Sequence, residues 1–361
     1  MSPPEFESVE HIFVGNLWKA IVTLVGVILF SSSSVRAEEE GTESKRQNLI
    51  GQSFETRDSL DPGDESREDA RQCLEGLCWT PESFQVACEA SARPQCDALV
   101  RFPSPRPSGI EVVDRVTMEW YHARDPEGDW IKAPAMIVIH ESGSGMDVGR
   151  SIAFALSRTG VHGFLIQLPG YGQRRGEQDI KIDHFLTFCR QGIADARRAK
   201  DAVSVLPQVE ADKIGLQGTS LGGFMGATSA ALDGAYDHVF LMLAGGQLNE
   251  VLQNGKRDAA RIRQRLQDAG LSGEPLKEGL YTFEPNRLAH RLLPQTTWLF
   301  SGKHDTVVPL RYAESLAKQI GLDSEHHVIL PSNHYSGVLH LPKLIFQMQE
   351  AMTGTKLQVQ D

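Results

Sequence analysis

Ile214-Gly215-Leu216-Gln217-Gly218-Thr219-Ser220-Leu221-Gly222-Gly223-Phe224-Met225-Gly226 is the stretch on which the reading of this chain turns. It opens as an apolar strand ending at Gln217, passes through Gly218-Thr219-Ser220-Leu221-Gly222, and runs into small residues that suit a closely packed helix. A serine so placed sits on a sharp strand-to-helix turn with its hydroxyl above the sheet. The flanking glycines remove side chains that would block the turn. In a chain with 33 glycines the five-residue pattern arises easily by chance, and the strand before it and helix after it give it weight. A serine hydroxyl is a poor nucleophile at neutral pH. It needs a base within hydrogen-bond reach, and the base needs an orienting group.

Both partners are found downstream, at the ends of later strand-like runs. Asp305 follows Thr297–Phe300 through Ser301-Gly302-Lys303-His304 and precedes Thr306-Val307-Val308-Pro309. His334 sits in Pro331-Ser332-Asn333-His334-Tyr335, between the run His327–Leu330 and a last helix. Singly, Asp305 reads as well as a carboxylate capping the next helix, and His334 as a surface histidine. Together, at successive strand ends after a serine on a turn, they read as orienting acid and general base. Attack on a carbonyl creates an oxyanion that needs N–H donors already in place. One candidate is the Leu221 N–H, directly after the serine. The second is expected from His140-Glu141-Ser142-Gly143-Ser144-Gly145, with Ser142 assigned and Glu141 as the fallback. Thr219 and Tyr171 are the expected substrate-pocket residues, although Gln167-Leu168-Pro169-Gly170-Tyr171-Gly172 also reads as a tight turn built from glycines.

Around these motifs, short apolar runs alternate with helical patterns, the rhythm of a parallel sheet with crossover helices. Strands are expected at Met136–His140, Gly163–Gln167, Ile214–Gln217, His238–Ala244, Thr297–Phe300 and His327–Leu330. Helices are expected at Gly192–Val205, Ser220–Leu232, Leu310–Ile320 and Leu341–Met352. Ile110–His122 alternates like antiparallel strands opening the sheet. The charged stretch 250–293 interrupts the rhythm, with an amphipathic helix at Asp258–Ala269; it reads as a cap over the site or as a surface excursion.

The turn at Ser220, the settings of Asp305 and His334 and the strand end Ile139-His140-Glu141 resemble the dienelactone-hydrolase and acetyl-esterase branches of the α/β-hydrolase superfamily, over residues 110–352. The resemblance implies an α/β-hydrolase fold, a mostly parallel sheet flanked by helices, and the chain order Ser, Asp, His is the one that fold uses. Dienelactone hydrolases carry a cysteine at the turn where this chain has Ser220, which favours ordinary ester hydrolysis through an acyl-serine over lactone cleavage. Prolyl-oligopeptidase-type peptidases share fold and order and are the nearest rival; no obvious propeller is read ahead of residue 110, which argues against the larger members of that family. A silent hydrolase fold used for binding is the reading from another class.

The 361 residues carry 47 acidic and 36 basic side chains, a formal net charge of −11, and show no basic stripe interleaved with aromatics; nucleic acid is not an expected partner. No cofactor is implied: there is no H-E-x-x-H, no Walker loop and no dinucleotide fingerprint. No metal site is expected either, since His326 and His327 would face opposite sides of a strand and His140 suits structural hydrogen bonds. Residues 1–37 read as an export signal, with Lys19 before the apolar run Ala20–Phe30 and the Val35-Arg36-Ala37 cleavage pattern after it. Glu5, Glu7 and Glu10 are unusual ahead of such a run and leave an uncleaved membrane anchor as the alternative. Acidic residues 38–72 read as a flexible linker and 73–109 as a cysteine-bearing extension. In an exported chain Cys73, Cys78, Cys88 and Cys96 are expected to form two disulfides of open pairing, a zinc site being disfavoured without a C-x-x-C pair. Cys189 reads as a lone structural thiol. Within 110–361 the expected partner is a small-molecule or carbohydrate-linked ester.

Overall fold

Ala133–Ile139 is a strand without a single polar residue and is buried along its whole length, the pattern of a strand covered on both faces. It pairs in parallel with neighbours on either side and marks the centre of the sheet. The structure is a computed structural model that describes residues 49–125, 127–176 and 184–356. Residues 1–37, expected to be an export signal or anchor, lie outside the described residues, among which no helix is long and apolar enough to cross a membrane.

The strands are β1 (Ser53–Arg57), β2 (Ser83–Glu89), β3 (Ala98–Pro103), β4 (Arg115–Tyr121), β5 (Ala133–Ile139), β6 (His162–Gln167), β7 (Val209–Thr219), β8 (Val239–Met242), β9 (Thr297–Gly302) and β10 (His327–Leu330). They form one sheet in the order β1-β2-β3-β4-β6-β5-β7-β8-β9-β10. The first four strands are antiparallel and β4 joins β6 antiparallel; from β6 through β10 every pairing is parallel. The helices are α1 (Glu68–Leu77), α2 (Glu111–Asp114), α3 (Asp147–Ser157), α4 (Phe185–Ser204), α5 (Leu221–Ala230), α6 (Leu248–Asn254), α7 (Asp258–Asp268), α8 (Gly273–Tyr281), α9 (Pro285–Leu288), α10 (Leu310–Ile320) and α11 (Leu341–Thr353).

Alternation along the strands sorts the core into two layers. Ile137, Ile139, Leu216, Leu241 and Leu299 pack with α1, α4, α5 and α10. Met136, Val138, Phe240, Met242 and Phe300 pack on the opposite face with α3 and α11. Parallel strands place their C-terminal ends on one edge, where crossover loops collect and ligands bind in folds of this class.

Three expectations about the N-terminal half need correction. The flexible linker expected at 38–72 is folded over its described part: Ser53–Arg57 is the edge strand β1, and Glu68–Leu77 is a helix burying Ala70, Cys73, Leu74 and Leu77. The acidic residues that made it look solvated are paired inside. Asp58 accepts from Arg198 Nε and Nη2 at 2.9 and 2.6 Å, with both side chains fully buried. Arg67 backbone N–H, Arg291 and His290 hold the Glu65 carboxyl at about 2 although burial pushes it up.

The expected disulfides are absent, and all five cysteines are free thiols. Cys73 and Cys88 lie in one core layer and Cys96 in the other, and Cys73 and Cys96 Sγ donate instead to the Thr282 and Ala98 carbonyls at 3.1 and 3.0 Å. Finally, Ile110–His122 is not strand throughout. Glu111–Asp114 is a helical turn, and β4 is buried on both faces because Glu119 is held by Arg150, Tyr121 and Gln167.

Candidate active site

β7 ends at Thr219, and Ser220 turns the chain into α5 with φ 51° and ψ −113°. A side-chain-bearing residue in that region stores strain, of order 1–3 kcal/mol, and persists only where the surroundings enforce it. The surroundings are backbone. The Ser220 N–H donates to the Met242 carbonyl at the end of β8 (2.8 Å), and a Cβ at Gly218 would overlap the Gly222 carbonyl. A Cβ at Gly222 would in turn overlap the Ile139 carbonyl at the end of β5, so the turn can close on its neighbours only with glycine there.

β9 and β10 deliver the partners. Asp305 lies in the loop after β9, buried, with Oδ1 accepting from the Val307 and Val308 N–H groups at 2.8 and 2.9 Å. Its Oδ2 is 2.7 Å from His334 Nδ1, in the loop after β10. The carboxylate places the imidazole proton on Nδ1 and leaves Nε2 as the acceptor, 3.0 Å from Ser220 Oγ. The three residues therefore form one hydrogen-bonded chain, with the serine proton pointed at a base that can take it.

The loop after β5 stands beside this turn, since Ile139 pairs with Gly218. His140 is fully buried, and burial pushes it down to about 4, so it is neutral near pH 7. Its Nε2 accepts from the Leu168 N–H at 3.1 Å, which puts the ring proton on Nδ1, 2.5 Å from the Glu141 carbonyl. In a trans peptide the N–H points opposite to the carbonyl, so His140 sets the direction of the Ser142 N–H. Leu221 opens α5, and its N–H has no intrahelical acceptor.

The Glu141 carboxylate accepts from Val148 and Gly149 N–H, both at 3.1 Å, bracing the loop against the first turn of α3; burial pushes its pKa up. Tyr171 joins the same loop, donating its hydroxyl to the Ser142 carbonyl at 3.1 Å and meeting the His140 ring edge-on. Burial pushes the Tyr171 phenol up to about 12. Thr219 is a correction. Expected in the pocket wall, it is 3% exposed, and its hydroxyl accepts from Gln217 Nε2 inside the protein.

The insertion touches the triad loops at one place. Lys256 N–H donates to the Thr306 carbonyl (2.8 Å), Tyr335 OH to Asp258 Oδ2 (3.0 Å), and the Arg257 guanidinium lies 5.2 Å from the Tyr335 ring centroid. Burial beside the Asp258 carboxylate pushes the Tyr335 phenol up to about 12. Neither Tyr335 nor Asp258 belongs to a catalytic motif of the sequence. Adjacency to His334 and the first turn of an amphipathic helix were the available signals.

No protein-family model matches the chain, and no curated protein does. Among solved structures, acetyl xylan esterase 1 from Thermoanaerobacterium sp. JW/SL YS485 is similar with TM-score 0.54 at 18% identity, over 79% of this chain and 93% of that one. An acetyl xylan esterase from Paenibacillus sp. R4 gives TM-score 0.54 at 13% identity, over 80% and 95%. A puromycin hydrolase gives TM-score 0.50 at 14% identity, over 76% of this chain but 46% of its own. With a central parallel sheet, helices on both faces and a serine on the turn between β7 and α5, the chain has the α/β-hydrolase fold.

Proposed function

We propose that the protein is a serine hydrolase that cleaves carboxylic esters through an acyl-Ser220 intermediate. The observation that carries this reading is the chain from Asp305 Oδ2 through His334 to Ser220 Oγ, with contacts of 2.7 and 3.0 Å. His334 Nε2 takes the proton as Ser220 Oγ attacks the ester carbonyl. Asp305 stabilises the imidazolium by accepting from Nδ1–H. The Leu221 and Ser142 N–H groups are the proposed donors to the oxyanion, worth roughly 3–4 kcal/mol each in comparable sites. His334 then protonates the departing alcohol, and a water activated by the same nitrogen attacks the acyl-enzyme and frees Ser220. Tyr171 is proposed to flank the acyl group from its seat on the Ser142 carbonyl, and the insertion to cap the site.

Acetyl esters of carbohydrate alcohols are the proposed first substrates, because two of the proteins with this fold are acetyl xylan esterases by name. The test is hydrolysis of p-nitrophenyl acetate and butyrate beside acetylated sugars and a peptide panel. Ester turnover that Ser220→Ala abolishes supports the reading. Turnover of peptides alone would replace it with a peptidase.

A further inference from the structure

The insertion also builds a crevice of its own. Its walls come from α6, α8, α9, the start of α1 and the end of α10, and it encloses about 400 Å³. None of the triad residues lines it, nor do their neighbours. Its Gln319 lies near the far end of α10, roughly 13 Å along the helix axis from Leu310, the helix residue nearest the Asp305 loop.

The lining chemistry is balanced in charge and rich in groups that both give and take hydrogen bonds. Arg67, Lys277 and Arg287 are matched by Asp69, Glu250 and Glu284, which leaves no excess charge to select an ion. Gln247, Asn249 and Gln319 each bring an amide, a donor and an acceptor side by side, while the Asn286 amide is turned inward, its Nδ2 donating to Ser315 Oγ at 2.9 Å. Paired donors and acceptors of this kind match neighbouring hydroxyls on a sugar ring.

The crevice also offers a platform. Tyr281 is 52% exposed, and the Arg287 guanidinium lies 4.1 Å from its ring centroid, bracing one face and leaving an amphipathic ring for an apolar C–H face.

We propose that this crevice binds a neutral oligosaccharide, with a sugar ring stacked on Tyr281 and its hydroxyls bonded to the amides of Gln247 and Asn249. The site would hold a carbohydrate chain without taking part in bond cleavage, and it stands whether or not Ser220 is an esterase nucleophile.

Isothermal titration of the full-length protein with unesterified oligomers of glucose, mannose and xylose tests it, because no ester is present for Ser220 to cleave. At least one oligomer is expected to bind with Kd of about 1 mM or tighter. Tyr281→Ala and Asn249→Ala are expected to weaken it at least tenfold, and Tyr281→Phe to retain it, with melting curves and p-nitrophenyl acetate turnover unchanged. Absence of binding to every oligomer would overturn the proposal. So would binding that both alanine variants leave intact, which would place the sugar elsewhere.

Discussion

Ser220 occupies a backbone region that only its neighbours make tolerable, and those neighbours are carbonyls at the ends of β5 and β8. Gly222→Ala should therefore cost more than an ordinary glycine substitution. It drives a methyl into the Ile139 carbonyl, and the expected result is lost activity together with a destabilisation of more than about 1 kcal/mol in urea unfolding. Asp305→Asn keeps the shape but removes the charge that places the proton on Nδ1, so kcat on p-nitrophenyl acetate should fall by about 10³–10⁴ with KM little changed. These residues could be read from the sequence because each stands in a recognisable place: a glycine-flanked turn, or a loop closing an apolar strand. Thr219 misled for the opposite reason. Neighbours on a turn face different ways, and residue adjacency says nothing about which of two hydroxyls is turned inward.

The central parallel strands and the helices between them were legible because strands buried on both faces must be apolar, and their crossovers must be amphipathic. Leu310–Ile320 and His327–Leu330 match the expectation to the residue. The buried faces of β4 and α4 were not, since Glu119, Asp195, Arg197, Arg198 and Asp201 are interior there, and β1 and α1 were hidden by the acidic segment around them, whose Asp58 and Glu65 are paired inside. Arg197 is fully buried against Asp201 and Asp233, and Arg174 against Asp195. No periodicity of apolar residues reports a buried ion pair. Asp58→Ala leaves the fully buried Arg198 with only the exposed Glu82 carboxylate as counter-charge, and is expected to cost about 3 kcal/mol in denaturant unfolding, loosening β1 from α4. At the insertion, Tyr335 OH on Asp258 is one hydrogen bond between α7 and the histidine loop. Tyr335→Phe should cost about 1 kcal/mol and speed amide exchange at the start of α7; unchanged exchange would mean that the helix is held elsewhere.

At the scale of the whole molecule, three histidines among the described residues, His122, His140 and His162, are buried as neutral rings. Burial pushes His122 down to about 2, and His140 and His162 to about 4, from an ordinary value of 6.5. Unfolded, these rings take up protons below pH 6.5; folded, His140 and His162 refuse them until about pH 4 and His122 until about pH 2. Stability is therefore greatest above pH 6.5 and is lost as pH falls from there toward 4, at up to about 1.4 kcal/mol per pH unit for each ring. Urea midpoints measured from pH 8 to 4.5 should show this decline. His122→Phe should flatten it and raise stability, because both ring nitrogens of His122 are buried without partners among the described residues. A midpoint independent of pH would contradict the account.

The central claim is that Ser220 is a nucleophile activated by His334, and the most direct test is intact-mass measurement after exposure to an organophosphonate probe. One adduct on the wild-type protein, mapped to Ser220, none on Ser220→Ala and a rate reduced at least about a thousandfold on His334→Ala is the predicted result. A wild-type protein that stays unlabelled, or that is labelled at some other residue, would contradict it.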